Sequence, residues 1–395
     1  MRERFQALAA IGKTPGGGVT RLAFSPAALQ AHRLAARWME EAGLRVRDDA
    51  AGNLIGRREG TGPAIVIGSH LDTVPDGGAF DGALGVVAGL EVVQRLVEEK
   101  RGDASPLEIV AHADEEGSHH AGTFGSRAML GEVGEEDLLG HQPGREPLAA
   151  VMRGAGLEPT RIGQARRERT GLRAYFELHI EQGPVLESLG IPVGIVTSIV
   201  GIDQYLVRVP GQARHAGTTP VAARDDALVK AARAIQVIRE FLLMRPADLI
   251  GNVGSVSVSP GAMNVVPAEA ILSVEFRSAR ASSLDEAGNW LVSLVAEHPG
   301  ATVRRTLREH GCPMSAELTA LLESVARSLG IATHQMPSGA GHDAQVWGRH
   351  VPAAMLFVPS RGGISHSPEE WTDWEDVIPG ADVLLNAVAA LATAD

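Results

Sequence analysis

A single cysteine, Cys312, in 395 residues excludes an internal disulfide, and it leaves no cysteine set for a structural zinc. One thiol suits a reducing compartment, so a cytoplasmic location is expected. Aromatic residues make up only 4% of the chain while glycine is abundant, which argues against an aromatic-rich β-sandwich and for close-packed α/β layers. Positive charge is also short. The net charge is −12 with no basic stripe, which removes nucleic acid and anionic membrane from the expected partners. An anionic substrate would gain nothing from that overall field, so a specific arginine has to hold it. Residues 1–12 contain no uninterrupted apolar core and no later run of about 18 apolar residues follows, so neither export nor a membrane span is expected.

What is present is organised around Gly68–Leu90, GSHLDTVPDGGAFDGALGVVAGL. It follows an apolar, β-branched run, Ala64–Ile67, that reads as a buried strand. Side chains two apart in extended backbone share a face, so Asp72 is expected to accept a hydrogen bond from one nitrogen of His70 while the other nitrogen binds a metal. A glycine-rich loop then carries Asp81 to the start of a helix over Gly85–Lys100, where a carboxylate is favoured and could bridge two ions. Read blandly, His70 is a polar strand end, Asp72 a turn residue and Asp81 a helix cap.

Other strands repeat the pattern. Leu107–Ala111 runs into Glu115-Glu116, Ala174–Leu178 into His179 and Gln182, and Ala353–Val358 into His366. Each donor lies just past a strand's carboxyl end, where open α/β sheets place their sites. The expected class is therefore α/β, a three-layer, mainly parallel sheet. The middle of the chain reads differently. Strand Gln204–Val209, helix Ala222–Leu243, strands Val253–Val258 and Ala270–Phe276, helix Ser283–Glu297 and strand Thr302–Arg308 make a βαββαβ, ferredoxin-like insertion. The expected division is 1–200 and 315–395 for a catalytic metal-binding domain, with 201–314 as a lid or dimerisation domain.

The donors are then His70, Asp81, Glu116, His179 and His366, with two ions sharing Asp81. Mixed nitrogen and oxygen ligands suit Zn²⁺ or Mn²⁺ in a hydrolase, with Co²⁺ or Ni²⁺ as alternatives. Glu115 would take a proton from water and pass it to a leaving nitrogen. His215 reads either as a helix cap before Thr219-Pro220 or as an oxyanion electrophile. Asn264 follows a Pro-Gly turn. Arg277 falls on the polar face of its strand, so a surface arginine and a carboxylate clamp both fit. His342 could be held by Asp343 or cap the next helix.

With these residues in view, the chain resembles the hydantoinase/carbamoylase family of dinuclear metal amidohydrolases, which includes N-carbamoyl-L-amino acid hydrolases, allantoate amidohydrolases and β-ureidopropionases. The motifs that carry the likeness are His70–Gly82, His179–Pro184, His215–Pro220, Gly339–Ala344 and Gly363–Pro368. The resemblance implies one ion on His70, Asp81 and His179 and another on Asp81, Glu116 and His366. It implies Glu115 as acid/base, Asp72 as the partner of His70, and Gln182, His215, Asn264, Arg277 and His342 at the substrate. It further implies a homodimer through the inserted domain, with His215 crossing the interface, and a small ureido acid as substrate. The expected reaction is cleavage of the carbamoyl C–N bond of an N-carbamoyl-L-amino acid, with allantoate, ureidopropionate, or dipeptide and N-acyl substrates as alternatives. One departure stands out: His119-His120 replaces the family's Arg-aromatic pair after Ser118.

Overall fold

The computed structural model describes residues 1–101, 105–119, 122–140, 146–245 and 249–393. His120 lies outside them. The chain divides into two compact units, one of Met1–Thr197 with Pro313–Asp395 and one of Ser198–Cys312.

In chain order the strands are β1 (Arg45–Asp48), β2 (Leu54–Arg58), β3 (Ala64–His70), β4 (Leu107–His112), β5 (Leu172–Ile180), β6 (Val193–Ile199), β7 (Gly201–Pro210), β8 (Leu249–Ser259), β9 (Glu269–Ser278), β10 (Thr302–Glu309), β11 (Cys312–Pro313), β12 (Thr333–Ser338) and β13 (Ala353–Val358). The larger sheet runs β1-β2-β4-β3-β5-β13-β6-β11, with β12 also paired to β6. Its centre, β4-β3-β5-β13, is parallel. These strands are apolar and buried along nearly their whole length, as a sheet covered on both faces requires.

Alternation along β5 shows the two faces. Phe176 and Leu178 join the core beneath the helices Ala83–Glu98 and Trp374–Thr393, while Tyr175 stacks on Trp347 of the helix Asp343–Gly348 at 4.8 Å and 8°. The centre is parallel as expected, and the flanks add antiparallel strands to it. β1 and β2 join antiparallel, β2 meets β4 antiparallel, and so does β6 with β13. Of these pairs only β1 and β2 are joined by a short turn, which needs no crossover helix.

Several helix limits follow from local chemistry. Ser25 caps Pro26–Glu41 by accepting from Ala28 N at 3.2 Å, with proline in the first turn. The long helix of the second unit begins at Ala227 rather than Ala222, because Asp226 accepts from Leu228 N and Val229 N and so fixes the start. The helix Trp374–Thr393 is long and apolar enough by composition to cross a membrane. Here Val377, Val383, Leu384 and Val388 are buried in the core of the first unit.

The second unit has the order strand, helix, two strands, helix, strand, and its sheet runs β10-β7-β9-β8 with every pairing antiparallel. Its core lies between that sheet and the helices Ala227–Leu243 and Ala281–Ala296.

Candidate metal centre

Because β3, β4, β5 and β13 are parallel, their carboxyl ends open on one edge of the sheet, and the candidate donors gather there. His70 ends β3 beside its register partner His112. His179 is the penultimate residue of β5, within the strand rather than just past it. Glu115 and Glu116 follow β4, and His366 follows β13 with φ +56°.

Asp81 sits at the middle. Its Oδ1 is 3.4 Å from His70 Nε2 and 3.1 Å from His179 Nε2. Its Oδ2 is 3.2 Å from His366 Nε2, and His366 Nε2 is 3.7 Å from Glu116 Oε2. Glu115 Oε2 lies 3.6 Å from His70 Nε2. Asp81 does not cap the helix that follows: the cap position is Gly82, at φ +63°, and a Cβ there would sit 2.4 Å from the His70 ring.

The expected carboxylate–imidazole pair does not form. His70 Nδ1 lies 3.0 Å from the main-chain oxygen of Asp72 and 3.7 Å from its carboxylate. Asp72 stands two residues beyond the last paired position of β3, so strand alternation no longer sets its direction. Its carboxylate reaches across to β4 instead. Glu115 N donates to Oδ1 at 3.3 Å and Glu116 N to Oδ2 at 3.1 Å. Asp72 thus fixes the backbone of both glutamates.

These contacts test whether metal ions fit. Carbonyl oxygens only accept, so the Nδ1 atoms of His70 and His179, 3.0 and 2.9 Å from the oxygens of Asp72 and Ile180, carry the protons. In the neutral rings both Nε2 atoms then present lone pairs to Asp81 Oδ1, and Gly82 N donates to His179 Nε2 at 3.2 Å. Lone pairs facing one another repel unless a cation stands among them. Glu116 Oε1 is buried with no hydrogen-bond partner. Ligand atoms around a tetrahedral ion with bonds of about 2.05 Å are separated by about 3.3 Å, matching the spacings here. Three triads among the described residues bring ligand atoms close enough to share an ion: His70 with Asp81 and His179, Asp81 with Glu116 and His366, and Glu177 with His179 and His342; the first two share Asp81. The residues fit divalent ions.

Charge states follow from burial and neighbours. Burial pushes the Glu115 carboxyl well above its ordinary range, His70 opposes the shift, and Asp343 and Glu116 reinforce it. Glu116 is raised to about 7, first by burial and then by Asp81. Burial would raise the Asp81 carboxyl, but wherever His179, His366 and His70 carry a proton on Nε2 the hydrogen bonds they donate hold it well below the carboxylate range.

The remaining candidates divide between the units. Gln182 Nε2 donates to Asp81 Oδ2 at 2.8 Å, which joins it to the donor cluster. His342 is buried, edge-on to His179 at 4.6 Å between centroids, and its Nε2 lies 2.9 Å from Ser338 Oγ. His342 occupies the N-cap position of the helix Asp343–Gly348, but its side chain makes no cap bond, and Asp343 accepts from Ser126 Oγ at 2.5 Å rather than holding the imidazole. In the second unit His215 and Asn264 are exposed neighbours, linked by Ala216 N donating to the Asn264 oxygen at 2.9 Å. His215 is no helix cap; its Nδ1 accepts from Gly217 N at 3.0 Å. Arg277 Nε donates to Glu275 Oε1 at 2.7 Å on the polar phase of β9. His119 Nε2 lies 3.3 Å from the oxygen of Ala23.

Sequence reasoning missed Glu370 and Ser365. Ser365 Oγ lies 3.2 Å from Asp81 Oδ2 and 2.8 Å from Glu370 Oε2. Neither had a signal of its own beyond lying within four residues of His366.

The family model described as Peptidase family M20/M25/M40 matches residues 66–390. The N-carbamoyl-L-amino acid amidohydrolase of Geobacillus stearothermophilus is 41% identical over 399 residues, spanning 99% of this chain and 97% of the relative. The allantoate amidohydrolase of Bacillus subtilis (strain 168) is 37% identical over 400 residues, spanning 98% and 95%. A crystal structure of an amidase of the hydantoinase/carbamoylase family from Burkholderia phymatum aligns with a TM-score of 0.88 at 37% identity, covering 99% of this chain and 96% of that one.

Proposed function

This chain belongs to peptidase family M20/M25/M40, and from that premise we propose that it is a metal-dependent amidohydrolase cleaving the carbamoyl C–N bond of N-carbamoyl-L-amino acids. One water is consumed, and amino acid, ammonia and carbon dioxide leave. The observation that carries this reading is Asp81, each of whose oxygens faces an imidazole nitrogen at 3.1–3.4 Å.

In this reading His70, Asp81 and His179 hold one divalent ion, and Asp81, Glu116 and His366 hold the second, Zn²⁺ or Mn²⁺ with Co²⁺ or Ni²⁺ as alternatives. Bound there, the ions supply Lewis acidity, which polarises a carbonyl and eases loss of a proton from water. Glu115 takes that proton and delivers it to the departing nitrogen. Its burial favours the first half of the transfer, because a carboxylate whose pKa is raised takes up the water proton more readily than an exposed one. Asp72, by accepting from both glutamate amides, keeps acid/base and ligand in register.

We assign Gln182, His215, Asn264, Arg277 and His342 to the substrate. His215 supplies a donor for the developing oxyanion, and Arg277 a bidentate fork for the substrate carboxylate. The second unit's element order and antiparallel sheet support a ferredoxin-like lid and dimerisation domain, and we take the enzyme to be a homodimer. Cys312, the chain's single cysteine, is buried, and it supports a cytoplasmic home.

The likeness to an allantoate amidohydrolase over nearly the same span supports a second reading, with allantoate as substrate. An ammonia-release assay across N-carbamoyl amino acids, allantoate and ureidopropionate, after reconstitution with Mn²⁺, Co²⁺ or Zn²⁺, separates the two. The first reading expects the highest kcat/KM on an N-carbamoyl-L-amino acid. Turnover of peptides or N-acyl amino acids without ammonia release would overturn both.

A further inference from the structure

Glu370 belongs to no donor triad, yet its carboxylate joins the loops that carry two of the donors. Glu370 N donates to the Ser367 oxygen at 3.0 Å, closing a turn just past His366. The side chain is buried, 5% exposed. Its Oε1 accepts from Phe80 N at 2.9 Å and from Asp81 N at 3.0 Å, across 289 residues of sequence. Its Oε2 is 2.8 Å from the Ser365 hydroxyl, which in turn lies 3.2 Å from Asp81 Oδ2. Gly78 leaves room for this arrangement, since a Cβ there would fall 2.0 Å from the Glu370 carboxyl carbon.

We propose that Glu370 is a positioning residue for the ion held by Asp81, Glu116 and His366. The inference rests on the dinuclear reading above. The two triads differ in how their histidines are held. His70 and His179 belong to strands β3 and β5, and each ring is tied through Nδ1 to a main-chain oxygen. His366 lies on a loop, half exposed, in left-handed backbone. The Glu370 carboxylate links that loop to the Asp81 backbone, so it acts on the second triad far more than on the first. Outer partners of this kind change metal affinity by on the order of 10- to 100-fold when removed.

The test uses the full-length chain, freed of metal and titrated with Mn²⁺ by calorimetry. Wild type is expected to take two ions. Glu370→Gln keeps a carbonyl acceptor for the two amides while losing the charge. It is expected to bind one ion as wild type does and the other on the order of 10- to 100-fold more weakly, with kcat restored by excess Mn²⁺ and KM near wild type. Ser365→Ala, which cuts only the Oε2 arm, is expected to weaken the same ion by less. Equal weakening of both ions, whatever happens to the melting temperature of the metal-free variants, makes Glu370 ordinary scaffolding and overturns the proposal. So does unchanged binding of both ions. A wild type that takes fewer than two ions overturns the dinuclear reading itself, and this inference with it.

Discussion

Three candidate donors of the first unit, His70, His179 and Asp81, are sealed in at 1%, 1% and 4% exposed, and only His366 among that unit's donors is open to solvent, whereas His215 and Asn264 of the second unit both stand in solvent and Arg277 is half buried. The first group is held by strand ends and main-chain oxygens before any ligand arrives. In the second, Arg277 donates to a carboxylate two residues away on its own strand and His215 Nδ1 accepts from Gly217 N, contacts local to their own segments. A metal centre gains from preset donors, because its ligands must converge within a few tenths of an ångström. Groups that meet a substrate gain from remaining available to it. In the proposed reading, the contrast separates a region built for ions from one suited to recognition.

Stripping the ions should have the largest effect. Chelation is expected to abolish ammonia release, and Mn²⁺, Co²⁺ or Zn²⁺ to restore it; activity that survives verified removal would erase the distinction. Next comes Glu115→Gln, expected to lower kcat by about 10²- to 10⁴-fold while metal content, measured by elemental analysis, stays at wild type. His215→Ala should cost about 10²- to 10³-fold in kcat, again with metal content unchanged, because its group lies in the other unit. Loss of metal in this variant would blur the comparison. The smallest effect is expected from Asp72→Asn. The amide keeps one acceptor for the Glu115 and Glu116 amides but turns a donor toward the other, so metal affinity and kcat are expected to fall by about 10- to 100-fold.

Much of this was readable from residue order. The strand Ala353–Val358 has the limits its apolar run predicts, and Arg277 falls on the polar phase of β9 as the alternation with Leu272, Val274 and Phe276 requires. Donors at the ends of buried parallel strands were visible because each follows a short, largely apolar run. What was not visible depends on chain paths rather than patterns. Asp72 turns away once the strand ends, and period-two reasoning stops with it. Strands β6 and β12 were missed: β12, Thr333–Ser338, is mostly half-buried or exposed and lacks a run, and β6, Val193–Ile199, carries threonine and serine at its end. Glu370 meets Asp81 across nearly the whole catalytic unit, and no local spacing announces such a contact.

The most direct test of the central claim is an anomalous difference map from crystals of the Mn²⁺-loaded protein. The account expects two peaks about 3.5–4 Å apart, one against His70 and His179, the other against Glu116 and His366, with Asp81 between them. Peaks elsewhere, or none in protein that hydrolyses the ureido acid, would contradict it.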